Sequence, residues 1–577
     1  MTKPIPEWWP RSLQVLARGY TFNTFISDLI AGLTVGLVAL PLAMAFAIAS
    51  GLTPQAGIYC AIITGFLISA LGGSQFQIGG PTGAFVVVVA GIVSEYGIDG
   101  LFMCTLMAGV MLVIMGLTGT GTAVKYIPRP VVIGFTNGIA LVIISTQLRD
   151  FLGLTVDVPG EFVGRIETIV ANLGAVSRDS VALGGGALLL LVVWSRYVKR
   201  VPAYVVALFA GTIAAAVLQL EVATIGSRFG GITSGLPAFR IPAFRPELAL
   251  SLLSPAVTVA MLGAIESLLS AVVADRMGGD RHNPNTELFA QGVANIASPL
   301  FGGLPATGAL ARTATNIRSG ARTPVAGMVH ALTLLGVLMF GARYAALVPL
   351  PVLAAILFLV AWNMGEWREI AEIFKHTYAD ILVWLVTFAL TVLADLTVAV
   401  EAGMVMAALL FIRRVSRTTT VSRVTPEYIE AGRPHILQDK IIPDYVAIFR
   451  IHGPFLFGST DKLRDISLQA DALPPVVLLR LRNMTAVDGT GLGAIEELAE
   501  DLREKGKTLV ICGAPSQPAG AMRKAEFHER LGDANICVSV QDALDRAAQI
   551  VRNSPTASPR RNEPLNSASI GINPPSR

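Results

Sequence analysis

Between Leu29 and Ser50 the chain reads LIAGLTVGLVALPLAMAFAIAS, without one charged side chain. A helix of that length crosses the hydrocarbon core of a bilayer, and an apolar stretch so long has few other uses. Similar windows recur to about residue 410, after which the sequence has the mixed polarity of a soluble domain. Charged residues make up 15% of the chain and hydrophobic ones 53%, against roughly 25% charged in a soluble domain. The reading is an integral membrane protein in contact with the lipid bilayer. A net charge of +4, scattered along the chain, argues against a nucleic-acid partner. Cys60, Cys104, Cys512 and Cys537 form no close pair and no metal-type spacing, so free thiols and no bound metal are expected. The N-terminus lacks the apolar core and cleavage site of a signal peptide. Trp8 and Trp9 with Arg11 and Arg18 suit an interfacial anchor before the first span.

Candidate spans cover residues 29–50, 55–71, 81–95, 101–119, 131–151, 181–195 and 202–220 in the first half. The second half gives 252–274, 286–300, 306–318, 324–341, 350–363, 379–394 and 396–412. Short loops carrying Lys125 and Arg129, Arg196 with Lys199 and Arg200, Arg276 and Arg281, Arg318 and Arg322, and Arg368 and Lys375 fall on one side. The opposite loops hold Glu95, Asp99 and Asp395, with Arg343 as their exception. Positive loops face the cytoplasm, so both termini are expected there, in a multi-pass protein of the cell inner membrane.

Seven spans followed by seven invert the second half relative to the first. The third and tenth spans are short, rich in Gly and Pro, and alike: GGPTGAF at Gly79–Phe85 and GGLPATGALARTATNI at 302–317, the second beginning 302 − 79 = 223 residues after the first. Paired interrupted segments of this kind point to a transporter's binding site near the midplane. The half-helices would turn their N-termini, with unbonded N–H groups and positive dipole ends, toward a shared cavity suited to an anion. The alternative is that the small residues only permit close helix packing.

Arg312 follows the second Thr-Gly-Ala and would place a fixed cation at that cavity. A charge at mid-membrane is costly and usually lines a pathway; the alternative is an ion pair with an acidic neighbour. Glu266 lies in the middle of VTVAMLGAIESLLSAVVADRM. It can carry a proton, or help hold Na⁺ with the hydroxyls of Ser267 and Ser270, the second of which shares its helical face. A permanent bridge to Arg312 is the structural alternative. Glu401 begins the last span and fits a structural role as well, and His330 reads as a satisfied core histidine.

Beyond FIRRVSR (411–417) strands and helices alternate, marking a small α/β domain. In AVDGTGLGAIEEL, Thr490 could accept a regulatory phosphate at a helix N-terminus; capping by Asp488 or Thr490 is the preferred reading. No phosphate-binding lysine loop, paired-His metal site or nucleophile elbow occurs, so no enzyme and no cofactor are expected.

At these residues the chain resembles the sulfate permease (SulP) family of anion transporters over nearly all of residues 10–550. The resemblance is strongest in AIESLLSAVVADRMGGDRHNPNTELFAQGVANIASPLFGGLPATGALARTATNIRSGARTP (264–324) and ALPLAMAFAIASGLTPQAGIY (39–59), and the C-terminal part resembles a STAS domain. It implies an α-helical membrane protein with fourteen transmembrane segments in a seven-plus-seven inverted repeat. Spans 1–4 and 8–11 would form a core that moves, elevator-like, against a gate of spans 5–7 and 12–14. A homodimer and a cytoplasmic STAS domain that can bind a partner are also implied. By motif, the substrate positions would be Phe46, Ala84, Phe85, Ala309, Ala311 and Arg312, and the coupling positions Glu266 and Ser270. Leu42 stands where many members carry Gln, and Ala311 where many carry Ser, so backbone amides and Arg312 must supply more of the recognition. Gly489 replaces a Ser common in related STAS loops.

The expected organisation is a cytoplasmic segment 1–28, a transport domain 29–415, a linker 416–440, a STAS domain 441–550 and a disordered tail 551–577. The expected function is proton-coupled symport of sulfate or a dicarboxylate. Na⁺-coupled bicarbonate uptake, uncoupled anion exchange or a channel, and a membrane-tethered STAS regulatory protein are the alternatives.

Overall fold

A computed structural model describes residues 8–121, 128–198, 202–242, 245–394, 396–424 and 442–553. Lys125, Lys199, Arg200, Asp395, most of the expected linker and residues 554–577 of the expected tail lie outside the described residues. The chain divides into two units, Met1–Ala407 and Ala408–Arg577.

In the first unit an amphipathic helix α1 (Arg11–Arg18) precedes α2 (Phe22–Ala49), which starts seven residues before the expected span because Thr21 caps it, accepting from Thr24 N at 3.3 Å. Then come α3 (Pro54–Leu71), a two-residue strand β1 (Gly79–Gly80) and α4 (Gly83–Thr118). Helix α4 holds the expected third and fourth spans, joined at Gly97, whose φ of 71° interrupts the helical path. The first half continues with α5 (Arg129–Leu152), α6 (Phe162–Ala171), α7 (Arg178–Tyr197), α8 (Ala203–Val217) and α9 (Ile225–Phe229). The second half repeats the pattern: α10 (Leu253–Gly278), α11 (Pro284–Leu300), β2 (Thr307–Gly308) and the nine-residue α12 (Leu310–Arg318). It ends with α13 (Val325–Ala345), α14 (Leu350–Met364), α15 (Trp367–Ile373), α16 (Tyr378–Leu393) and α17 (Leu396–Thr418), whose residues from Ala408 on are counted with the second unit.

Eight helical stretches among the described residues, with α14 and α15 counted as one, are long and apolar enough to cross a bilayer, and α8 and α16 are shorter apolar helices. Helices α2, α3, α4, α10, α11, α12 and α13 pack on one another, while α5, α7, α8, α14 and α16 form a second group. Helices α4 and α11 meet through small residues: a Cβ on Gly292 would lie 2.6 Å from the Gly109 carbonyl oxygen. Contact this close replaces the hydrophobic driving force that lipid removes.

The second unit is a five-stranded sheet in the order β3 (Thr420–Arg423), β4 (Val446–Phe455), β5 (Val476–Val487), β6 (Thr508–Cys512), β7 (Ile536–Cys537). Strands β4 to β7 are mutually parallel, and β3 is antiparallel to β4. Alternation along β5 sends Val477, Leu479 and Leu481 to one core, and Val476 and Leu478 to another. Helices α18 (Asp461–Leu468), α19 (Gly489–Glu504), α20 (Ser516–Lys524) and α21 (Phe527–Leu531) join the first core, and α22 (Val540–Asn553) the second. Two boundaries therefore move. Strand β3 lies inside the stretch expected to be linker, and α22 reaches Asn553, three residues into the expected tail. The cysteines also differ from expectation in placement, since Cys512 and Cys537 are register partners on neighbouring strands.

Candidate functional site

The two small-residue stretches meet. Gly79 pairs with Gly308 and Gly80 with Thr307 in a short antiparallel ribbon, the orientation that inverted halves require. From each strand the chain turns directly into a helix, α4 on one side and α12 on the other. Neither helix has a side-chain cap: Ala309 cannot supply one, and the Thr82 hydroxyl instead donates to Glu266 Oε2 at 2.8 Å. First-turn N–H groups are therefore left without intrahelical partners, at the positive ends of two dipoles.

Hydroxyl groups fix the ribbon. Gly308 N donates to Ser267 Oγ at 3.1 Å, Ser267 Oγ lies 2.6 Å from Thr307 Oγ1, and Thr307 Oγ1 donates to the Gly263 carbonyl at 3.0 Å. On the other edge Thr313 Oγ1 accepts from Ile78 N at 3.0 Å and from Ser270 Oγ at 3.2 Å. Each bond satisfies a group that lipid or a dry core would leave costly.

Arg312 is 2% exposed. Its Nη2 donates to the Pro81 carbonyl, and its Nη1 is buried without a partner. No carboxylate of a described residue lies within the 4.0 Å of an ion pair, so the Glu266–Arg312 bridge is not formed. The guanidinium lies over Gly80, where an added Cβ would be 2.5 Å from Nη1. Arg312 thus stabilises the break before α4 and leaves its charge unneutralised.

Beside the ribbon is a cavity of about 280 Å³. Its lining includes Phe46, Thr82, Glu266, Gly308, Ala309, Ala311 and Arg312 on one side, and Phe135, Tyr204, Asn363, Glu366 and Met404 on the other. The walls are largely apolar, with a few polar groups converging, as small-ligand sites are built.

Residues 25–387 match the sulfate permease family and residues 438–543 match the STAS domain. The chain belongs to the sulfate permease family. The putative sulfate transporter YvdB of Bacillus subtilis (strain 168) is 41% identical over 518 residues, covering 89% of this chain and 96% of its own. Bicarbonate transporter BicA of Picosynechococcus sp. (strain ATCC 27264 / PCC 7002 / PR-6) is 30% identical over 554 residues, covering 91% and 95%. A structure of the murine Solute Carrier 26 family member A9 anion transporter, in its inward-facing state, matches with a TM-score of 0.83 over 94% of each chain. At 18% identity that likeness carries the fold alone. The chain is thus a helical, multi-pass membrane transporter followed by a STAS domain, in a family of transporters rather than enzymes.

The expected site residues divide. Phe46, Ala309, Ala311, Arg312 and Glu266 line the cavity, as does Leu42. Ala84 and Phe85, each 1% exposed, are packed behind the lining. Ser270 is buried against Thr313 and shares no partner with Glu266. Thr490 is exposed in the first turn of α19, while Asp488 is the cap, accepting from Gly491 N at 2.8 Å. His330 is fully buried with neither ring nitrogen bonded, so it is a core histidine but not a satisfied one. Glu401 falls in α17, and its side chain lies outside the described residues.

Sequence reasoning singles out Glu266 and passes over Glu287, whose carboxylate is fully buried in α11. It accepts from Gly73 N (3.0 Å), Ser74 N (3.1 Å), Gln77 Nε2 (3.0 Å) and Gln291 Nε2 (3.0 Å). Thr82, Thr307 and Thr313 are also open to detection, as hydroxyls within or beside the small-residue motifs.

Proposed function

We propose that this chain is a secondary active transporter of small anions, with the cavity beside the β1–β2 ribbon as its substrate site. The observation that carries the reading is the convergence of two uncapped helix N-termini with a buried, unpaired Arg312 on one cavity. An anion placed there meets backbone N–H groups and a fixed positive charge in a partly dehydrated site, where each is worth more than in water. Phe46, Ala309 and Ala311 give the pocket shape, with Ala84 and Phe85 supporting the first turn of α4 from behind. With no hydroxyl or amide donor at Leu42 or Ala311, recognition on the half-helix side of the cavity falls chiefly to the backbone and to Arg312.

Coupling is assigned to Glu266. Its carboxylate faces the cavity, accepts one hydrogen bond from Thr82 and has no cationic partner, so it is placed to take up and release a proton with each cycle. Substrate and proton then travel with the group α2–α4 and α10–α13, which moves against the group containing α5, α7, α8, α14 and α16. Sulfate or a dicarboxylate is the favoured cargo, in keeping with the name of YvdB. Na⁺-coupled bicarbonate uptake is the second reading, favoured by similarity to BicA and by the oxygens that Thr82 adds beside Glu266. We assign the STAS unit a regulatory role, with a homodimer in the inner membrane and both termini in the cytoplasm.

Uptake of labelled sulfate, fumarate and bicarbonate into proteoliposomes, under a proton gradient and separately under a Na⁺ gradient, tests the reading. Proton-driven accumulation of sulfate or fumarate supports it. Accumulation of bicarbonate with Na⁺ alone replaces it by the second reading, and gradient-independent equilibration of anions rejects coupling.

A further inference from the structure

Gly365 and Glu366 join α14 to α15 at the rim of the cavity, which Asn363 and Glu366 both line while remaining exposed. Glu366 has φ 42° and ψ 38°, the left-handed conformation that side chains other than Gly and Asn adopt only with strain. A glycine ordinarily takes that conformation at a helix end, and one stands a single position too early. Gly365 is committed elsewhere: a Cβ there would lie 2.4 Å from Trp367 Cε2, so the indole packs where a side chain would have been. The left-handed position falls to the next residue, and that residue is a carboxylate.

The turn is tied down from three sides. Trp367 Nε1 donates to the Trp362 carbonyl at 2.8 Å, Asn137 Nδ2 donates to the Gly365 carbonyl, and Trp384 Nε1 donates to Asn137 Oδ1 at 2.9 Å. Strain maintained by such a surround is a feature of ligand clamps and switch points. Glu366 makes no ion pair within 4.0 Å among the described residues, although the charges of Glu369 and Arg129 both act on it. Arg129, the cation on the neighbouring helix, is held by Glu369 at 2.6 Å. Across the cavity the charged groups are Arg312 and Glu266.

We propose that Glu366 is a charge-selecting residue at the rim of the cavity, narrowing the preference for divalent over monovalent anions that Arg312 would otherwise set. The inference rests on the reading of the cavity as an anion site. A fixed carboxylate repels an anion in proportion to that anion's charge, so the penalty on sulfate is twice that on bicarbonate at the same position. Arg312 attracts both from the opposite wall, and the difference between the two fields sets the preference.

The test compares wild type, Glu366→Gln and Glu366→Asp. In each, the apparent inhibition constants of sulfate and bicarbonate are measured against uptake of whichever labelled anion the wild type carries. The rise in melting temperature that each anion produces in the solubilised protein gives the same ratio where uptake is slow. Removing the charge should lower the sulfate constant relative to the bicarbonate constant by roughly three- to tenfold, while Asp keeps the wild-type ratio. A ratio unmoved in Glu366→Gln overturns the inference, and equal changes in Gln and Asp overturn it in favour of a purely structural turn. If the wild type neither carries nor is stabilised by sulfate, bicarbonate or fumarate, the anion reading falls and takes this inference with it. If the wild type responds and only the ratio fails to move, the anion reading stands.

Discussion

Thr82 donates its hydroxyl to Glu266 at 2.8 Å, joining the N-cap position of one half-helix to the middle of α10. The bond links the anion site to the proposed coupling group, since one residue borders both. Glu266→Gln should abolish accumulation driven by a proton gradient while leaving exchange of labelled for unlabelled anion. Thr82→Val should keep accumulation but weaken it, because the carboxylate loses a hydrogen bond worth on the order of 1–2 kcal/mol. Normal proton-driven accumulation by Glu266→Gln would remove that residue from the coupling step.

Gly80 has φ +146°, and a Cβ on it would lie 2.5 Å from Arg312 Nη1. Gly80→Ala therefore combines backbone strain with displacement of the guanidinium, at a combined cost of about 2–4 kcal/mol. Anion affinity should fall tenfold or more, and shortening the opposing side chain in Gly80→Ala/Arg312→Ala should recover melting temperature without recovering affinity. Wild-type affinity in Gly80→Ala would show that the guanidinium position is immaterial to binding.

Glu266 and Glu287 make opposite predictions. Glu287 accepts four N–H donors inside the packing of α3, α10 and α11, among them Gly73 N and Ser74 N. Glu287→Gln turns a donor toward those donors and leaves buried groups unsatisfied, a loss of about 2–4 kcal/mol. Its melting temperature should drop by several degrees, whereas Glu266→Gln, at a cavity wall, should melt close to wild type. Thermal unfolding in detergent separates the two, and equal melting of both variants would contradict the assignment of roles.

The sequence carries the repeat plainly and its register poorly. Aligning the two Thr-Gly-Ala triplets relates Thr82 to Thr307, 307 − 82 = 225 residues apart. The ribbon instead equates β1, starting at Gly79, with β2, starting at Thr307, an offset of 307 − 79 = 228. In the first copy the triplet opens the helix, and in the second it forms the strand. Small side chains permit either, because the pairing is made by backbone groups that leave no mark in sequence. That shift also explains why Ala309 and Ala311 face the cavity while Ala84 and Phe85 do not: the helical phase is set by where each helix starts. Glu287 escapes for another reason. An acid in the first turn of a helix reads as an ordinary dipole partner, and only the fold brings the amides of residues 73 and 74 to it. Arg312 and Glu266 are legible because a charge inside an apolar span is informative without knowing the register, whereas Phe46 and Leu42 are reached only through the family resemblance.

Cys512 and Cys537 are paired in register on β6 and β7, yet burial sets them apart. Burial pushes the Cys512 thiol up to about 12, and raises that of the half-exposed Cys537 as well. Alkylation proceeds through the thiolate, so iodoacetamide at pH 8.5 should label Cys537 ahead of Cys512 in the folded protein. The sign for stability follows: the unfolded chain loses the Cys512 proton near pH 9, the folded chain only near 12. The folded state therefore binds more protons across that window, and stability present below pH 9 is lost as the pH rises through it. Mass spectrometry of the labelled peptides checks the order, and faster modification of Cys512 would refute it.

Strand β3 decides where the STAS unit can be removed cleanly. Thr420 pairs with His452 and Arg423 with Phe449, so residues 420–423 are part of the sheet although they precede β4 by more than twenty residues. A chain ended near residue 436, inside the expected linker, keeps β3 and deletes its partner. The orphan strand then presents unpaired N–H and C=O groups on both edges, a template for association. A chain ended at Thr418, the last residue of α17, leaves no strand behind. Size-exclusion chromatography should show the shorter protein monodisperse and the longer one partly aggregated, and identical profiles would argue that β3 contributes nothing. Only the Thr418 truncation then answers the functional question. Retained anion uptake by it makes the STAS unit regulatory, whereas uptake lost in a well-inserted, monodisperse protein places that unit in the transport cycle itself.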